Sequence, residues 1–171
     1  NKEVVLSLKL AEIVRLGAKD RVVLAVRTTE SQLLIGTESH QFHLLNLTKD
    51  AQNVTQVTSE QLNFKYGKTL KSLGNKNAQK WKENVIFASG KFLFSLSLKS
   101  KEFKILKLLN SDVLRFVVDQ NRLLVLTKRE LSEFNFNSLN DVCEITKKEE
   151  LTAELESFVT FELWNDKLVL L

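Results

Sequence analysis

The chain has 171 residues, 43% of them hydrophobic and 27% charged, with a formal net charge of +4. That is the balance of one globular domain or a slice of a larger one, and it excludes wholesale disorder. No run of about 18 apolar residues marks a membrane-spanning helix, no secretory signal is visible at the N-terminus, and a single cysteine, Cys143, excludes an internal disulfide framework and a cysteine-based zinc cluster.

Most apolar runs are short, rich in Val, Ile, Leu and Phe, and alternate with polar residues, which is the period of a strand. In chain order they are Val4–Leu10, Val22–Val26, Leu33–Gly36, Phe42–Leu47, Val85–Ala88, Phe92–Leu98, Phe103–Leu108, Leu114–Val118, Leu123–Leu126, Phe134–Phe136, Val142–Ile145, Phe158–Leu163 and Leu168–Leu171. The separators are too short for crossover helices, so consecutive strands are expected to pair antiparallel. Two stretches break the pattern. Tyr66–Trp81 has Thr69 as its one β-branched residue and reads as an inserted loop with room for a short helix. Lys147–Ser157 has good helix formers, with Leu151, Leu155 and Phe158 at helical spacing, and predicts a short helix before the last strands.

Four segments repeat one theme: a buried apolar run, a tight turn, an alternating strand and a polar turn. Their starts at residues 33, 85, 123 and 168 are 52, 38 and 45 residues apart, a mean of 45. That is the period of a four-stranded propeller blade. Two units are complete: 22–28, 32–37, 41–47 and 53–57, then 114–118, 122–127, 130–136 and 141–146. Between them lies a blade whose connection from first to second strand is expanded by Tyr66–Trp81.

On these residues the chain resembles the β-propeller families, WD-repeat proteins among them. It departs from the WD pattern: no Gly-His pair opens a blade, and Asn46-Leu47 and Ser97-Leu98 stand where Trp-Asp closes the third strand. The resemblance therefore implies a divergent propeller, of the kind found in vesicle-tethering, nuclear-pore and ribosome-assembly scaffolds, without the usual His-Asp-Trp hydrogen-bond network. The expected fold is all-β: a single propeller segment across residues 1–171, of about four antiparallel four-stranded blades, two complete and the others partial or expanded, with a basic loop inserted at 66–81. The alternatives are an all-β sandwich or barrel, or a mixed α+β domain. A ring needs four to eight blades, and an open arc leaves strand edges unpaired. Further blades, or a partner donating strands, are therefore expected. The absence of proline and methionine points the same way, towards a piece of a longer chain, although an AT-rich genome has the same signature.

Charge is uneven. Residues 1–64 carry seven basic and seven acidic side chains, residues 65–107 eleven lysines against Glu83 and Glu102, and residues 108–171 seven basic against twelve acidic. In the basic middle, Lys65, Lys68, Lys71, Lys76, Lys80 and Lys82 are interleaved with Tyr66 and Trp81, a pattern that attracts phosphates and offers rings for base stacking. The competing readings are an acidic protein partner, anionic lipid, or a loop that lysine merely keeps soluble while Phe64 and Trp81 anchor it. Lysine without arginine lacks the planar fork that reads bases. Lys99, Lys101, Lys104 and Lys107 flank the next hairpin and read as guards of a strand edge.

The sequence offers no catalytic residue, metal ligand set or cofactor motif. His40 and His43, three apart on a hairpin, fall on opposite faces of a strand. Cys143 reads as a small buried hydrophobe. Trp164 is the remaining candidate, as an interface anchor. The expected function is a non-catalytic protein-protein interaction scaffold in a larger intracellular complex, nuclear or cytoplasmic. Its expected partners are other protein subunits, with no small-molecule substrate. The alternative is an RNA- or DNA-contacting module of an RNA-processing or ribosome-assembly complex that uses the Lys65–Lys82 loop.

Overall fold

The computed structural model describes residues 20–51, 55–67, 78–128, 130–135, 144–150, 161–164 and 167–170, the last three spans as backbone only. The strand predicted at Val4–Leu10, and the residues Lys68, Lys71, Lys76 and Cys143, lie outside the described residues. The first sheet is β1 (Val22–Thr29), β2 (Gln32–Thr37), β3 (Phe42–Lys49) and β4 (Thr55–Leu62). The second is β5 (Ala78–Trp81), β6 (Asn84–Ser89), β7 (Phe92–Ser97) and β8 (Phe103–Leu108). The third is β9 (Val113–Asp119), β10 (Arg122–Thr127), β11 (Glu130–Asn135) and β12 (Glu144–Glu150), and a two-stranded sheet follows, β13 (Phe161–Trp164) with β14 (Lys167–Leu170). Each is a meander whose spatial order equals its chain order, and every pairing is antiparallel.

The second sheet explains why the apolar runs are continuous. All six residues of β6 are buried. Because side chains alternate, Val85 and Phe87 enter a core shared with the first sheet, beside Leu24, Leu34, Phe42 and Leu44. Ile86 and Ala88 enter a second core shared with the third sheet, beside Val113, Phe116, Leu123 and Val125. A strand covered on both faces needs apolar residues at every position. The sheets are thus stacked face to face in a row, with the first strands β1, β5 and β9 as neighbours along one edge. This is the blade order of a propeller, with the first strand innermost and the fourth outermost.

Short turns set the registers. Lys82-Glu83 joins β5 to β6, Gly90-Lys91 joins β6 to β7, and Gln120-Asn121 joins β9 to β10. In each the first turn residue takes a positive φ, 51° at Lys82, 55° at Gly90 and 50° at Gln120. That left-handed twist matches the twist of the strands it joins.

Two expectations need correction. The Tyr66–Trp81 stretch is not wholly loop, because its last four residues form β5. The expanded connection therefore joins the fourth strand of one sheet to the first strand of the next, and the β5–β6 turn is tight. Among the described residues the expanded second sheet has four strands, as the first and third do. Strand β5 lacks the apolar pattern because it is innermost and its Gln79 side chain bonds to the Val118 backbone of the next sheet. The helix predicted over Lys147–Ser157 is not formed at its start: Lys147–Glu150 belong to β12, opposite Glu130–Glu133. Helix propensity is a preference of a few tenths of a kcal/mol per residue, and the ladder overrides it. Residues 151–157 lie outside the described residues.

Candidate basic junction between the first two sheets

After β4 the chain crosses onto the second sheet as Asn63-Phe64-Lys65-Tyr66, in alternation. Phe64 turns inward, 4.8 Å from both Phe42 and Phe103. Tyr66 follows it inward, 5.5 Å from Phe94 and 5.6 Å from Phe64. Aromatic pairs at such spacing contribute about 0.5–1.5 kcal/mol beyond their buried area, so the crossing is held at two points. Asn63 and Lys65, on the other side of the alternation, are exposed.

Lys65 meets residues from the β7–β8 turn. Asn63, Lys65, Tyr66, Lys101, Glu102, Phe103 and Lys104 line an open cleft of about 430 Å³. A second cleft of about 420 Å³, lined by His40, Gln41, Gln61, Leu62, Asn63 and Phe64, adjoins it at Asn63. Lys101 is fixed in place: its φ is 59°, its backbone N–H donates to the Ser97 carbonyl at 2.8 Å, and its Nζ donates to both Glu60 oxygens at 2.6 Å. That bridge is solvent-exposed and adds little stability. Lys65 and Lys104 have no ion pair among the described residues. The junction is therefore a basic, open trough with one internal carboxylate pairing.

The lysines that sit together in sequence separate in space. Lys65 joins Lys101 and Lys104. Lys80 lies exposed on the innermost strand β5, and Lys82 lies in the β5–β6 turn with Nζ 4.5 Å over the Trp81 ring. Trp81 is only 8% exposed and belongs to the core between the second and third sheets. Its indole Nε1–H donates to the Gln120 carbonyl at 2.6 Å. Trp81 thus anchors one sheet to the next rather than offering its ring to a ligand, and Tyr66 has its ring in the Phe64–Phe94 cluster. Trp164 occupies the end of β13, where only the backbone is described. The proximity of Lys65 to Lys101 and Lys104, some forty residues away, left no mark in sequence, because only sheet-on-sheet packing creates it.

The titratable groups of the first sheet serve structure. Asp20 closes the β2–β3 turn: its carboxylate accepts from the Ser39 backbone N–H at 3.0 Å, the Ser39 hydroxyl and the Arg21 N–H at 3.1 Å. Burial pushes the Asp20 carboxyl up, but the hydrogen bonds from Ser39, Thr37 and Arg21 outweigh it and hold the group below the ordinary carboxylate range. Arg21 also grips Glu38 of the same turn through Nε at 3.0 Å and Nη2 at 3.1 Å. His40 sits in this turn with φ 63°, and His43 lies on β3, so the two histidines do not share a site. Among the described residues no group of three or more His, Cys, Asp or Glu is placed to hold a metal ion.

His43 is 4% exposed, its Nδ1 lies 3.3 Å from the Ser59 hydroxyl, and its Nε2 is buried. Burial lowers its pKa, against a weaker opposing pull from the Asp20 charge. A depressed histidine is neutral when folded and takes a proton on unfolding once the pH is below its unfolded value of about 6.5. Stability therefore falls as pH drops from about 6.5 towards the folded pKa. Urea midpoints at pH 7.5 and pH 5.5 are expected to differ more in the native chain than in His43→Gln. Equal differences in the two proteins would show that His43 does not titrate across folding.

No protein-family model and no curated protein sequence matches the chain. Solved structures do match its fold. One is Kluyveromyces lactis Hsv2, at 16% identity and TM-score 0.54, covering 89% of this chain and 42% of that one. Another is a Saccharomyces cerevisiae Dbp5 variant bound to Nup159, a Gle1 variant, IP6 and ADP, at 19% identity and TM-score 0.51, covering 80% of this chain and 32% of that one. The N-terminal domain of Nup159 alone gives 19% identity, TM-score 0.52 and coverage of 79% and 32%. The chain thus spans less than half the length of each of these chains. At such identity the likeness is one of fold, and that fold is the β-propeller.

Proposed function

With a row of propeller blades as its framework, we propose that the chain is a non-catalytic interaction scaffold that docks an acidic protein surface on the basic junction of its first two sheets. One observation carries this reading: folding gathers Lys65, Lys101 and Lys104 around one open trough while the neighbouring aromatics are turned into the core. Charged surfaces of this kind steer and orient partners. Single-stranded nucleic acid asks for exposed rings as stacking platforms, and Trp81 and Phe64 are engaged inside. That weighs for protein over RNA, as does the complex in which the Nup159 structure is bound to Dbp5 and Gle1. Loops that a rigid scaffold holds in place are where binding residues concentrate.

The test is affinity purification of the full-length protein and of Lys65→Glu/Lys101→Glu/Lys104→Glu, each with and without ribonuclease. The triple reversal is expected to weaken partner retention by about a hundredfold, roughly 2.7 kcal/mol. Its melting temperature should stay within a few degrees of the native one, because all three residues are exposed. Retention should survive ribonuclease. A partner set unchanged by the triple reversal removes the junction as the docking surface, and loss on ribonuclease treatment favours the nucleic-acid alternative.

A further inference from the structure

The outermost strand of the second sheet, β8, is built oddly for a solvent edge. It carries the exposed large hydrophobics of the described residues, Ile105 at 45% and Leu108 at 60% exposure. Simple alternation would put residues 105 and 108 on opposite faces. A register shift prevents it: Phe94 pairs with Ile105, Leu93 with Lys107 and Phe92 with Leu108, so residue 106 is extra. Directly opposed residues share a face. Ile105 and Leu108 therefore stand with Phe94 and Phe92, on the side that faces the first sheet, while Leu106 packs into the core shared with the third. Bulges re-aim side chains in this way. Here the result is an apolar shelf of Phe92, Ile105 and Leu108 at the outer rim.

One side of the β8 backbone is bonded to β7, and the other has no strand partner among the described residues. Lysine surrounds the shelf. Between residues 91 and 108 stand Lys91, Lys99, Lys101, Lys104 and Lys107, against Glu102 alone. Such an edge repels a copy of itself, since like charges meet across the new pair. It attracts an acidic strand for the same reason. A nucleic acid could satisfy the lysines but offers no ladder of backbone amides to the open edge and no aliphatic side chains to the shelf.

We infer that β8 is a strand-addition site for an extended segment of a partner protein in which carboxylates alternate with aliphatic residues. The segment pairs along Phe103–Leu108, sets its aliphatic side chains against Ile105 and Leu108, and turns its carboxylates towards Lys104 and Lys107. Main-chain bonds supply affinity in this mode, and alternate side chains supply selectivity. The inference rests on the scaffold reading and names the chemistry of one partner.

The probe is a ten-residue peptide of alternating glutamate and valine, added to the full chain and followed by hydrogen exchange. Exchange of the amides among residues 104–108 that point away from β7 is expected to slow at least tenfold. Methylating alternate peptide nitrogens should weaken binding at least tenfold, because a methylated amide cannot bond to the edge. A lysine–valine peptide should give no protection to the native chain. Lys104→Glu alone, at an exposed residue that the fold does not need, should weaken the glutamate peptide. Lys104→Glu/Lys107→Glu should reverse the preference. Binding without protection of β8, or binding indifferent to methylation, overturns strand addition, and so does an oligouridylate that protects β8 where the peptide does not. If Lys65→Glu/Lys101→Glu abolishes partner retention while β8 gains no protection, the scaffold reading stands and this inference falls. If β8 is protected while Lys65→Glu/Lys101→Glu, which leaves Lys104 in place, changes nothing, the inference stands and the junction falls.

Discussion

Phe87→Ala is expected to lower the stability of the chain by about 3–5 kcal/mol, the range for removing a large side chain from a packed core. Phe87 has no exposed surface. Its ring stacks on Phe94 at 5.1 Å with a 15° interplanar angle, and lies 5.2 Å from Phe42. Phe64 and Phe103 both lie 6.1 Å away. Truncation leaves a cavity ringed by four aromatic side chains that the packed core holds in place. Ile105→Ala, at the exposed rim, should change stability by no more than about 0.5 kcal/mol. Urea unfolding followed by far-ultraviolet circular dichroism distinguishes the two. Blades stacked in a row touch only their neighbours, so the damage should also be local. Exchange protection should fall in β1–β4 and in β6 and β7, and hold in β9–β11. A Phe87→Ala midpoint equal to the native one would mean that the first two sheets do not share this core.

Phe87 also shows what the sequence makes legible. A fully buried strand between two sheets must be apolar at every position, so Val85–Ala88 stands out in the chain, and so do Leu33–Ile35 and Leu123–Leu126. Their spacing reveals the repeat and through it the propeller. A finer signal lies at the ends of these strands. Gln32, Asn84 and Arg122 open them, and Thr37, Ser89 and Thr127 close them with buried hydroxyls. The Thr37 hydroxyl accepts from the Gln41 N–H and the Thr127 hydroxyl from the Glu130 N–H, both at 3.2 Å, tying each turn to its strand. That pattern marks the blade in the absence of Gly-His and Trp-Asp.

What stayed hidden is whatever depends on contact between blades. Lys65 and Lys104 look like members of separate lysine groups until sheet packing brings their elements to one cleft. Lys80 and Lys82 look like companions of Lys65 until β5 places them elsewhere. The register shift in β8 is equally invisible, since Ile105-Leu106 reads as ordinary apolar strand. Strand β5 hides for a physical reason. Strands are recognised by what they bury, and Ala78-Gln79-Lys80-Trp81 buries chiefly Trp81.

The purpose of that polar innermost strand leads to the other large effect. An innermost strand has one edge with no strand beside it, and unpaired backbone groups there are a liability. At β9 the previous blade supplies the partner. The Gln79 side-chain amide acts like a short piece of backbone: its Nε2–H donates to the Val118 carbonyl at 2.8 Å, and its Oε1 accepts from the Val118 N–H at 2.9 Å. Two residues on, the Trp81 indole N–H reaches the Gln120 carbonyl. Gln79→Leu keeps the size of the side chain and removes both bonds, leaving a part-buried donor and acceptor unmatched. Each such group costs about 1–3 kcal/mol when fully buried, and with both only part-buried a loss of about 2–4 kcal/mol is expected. Gln79→Glu separates geometry from shape: a carboxylate still accepts from the Val118 N–H but faces the Val118 carbonyl with no donor, so it should recover only part of the loss at neutral pH. Exchange of the Val118 amide should quicken in Gln79→Leu and less so in Gln79→Glu, while the core of the first two sheets keeps its protection. A Gln79→Leu chain as stable as the native one, with Val118 still protected, would show that the blades are joined by their apolar faces alone.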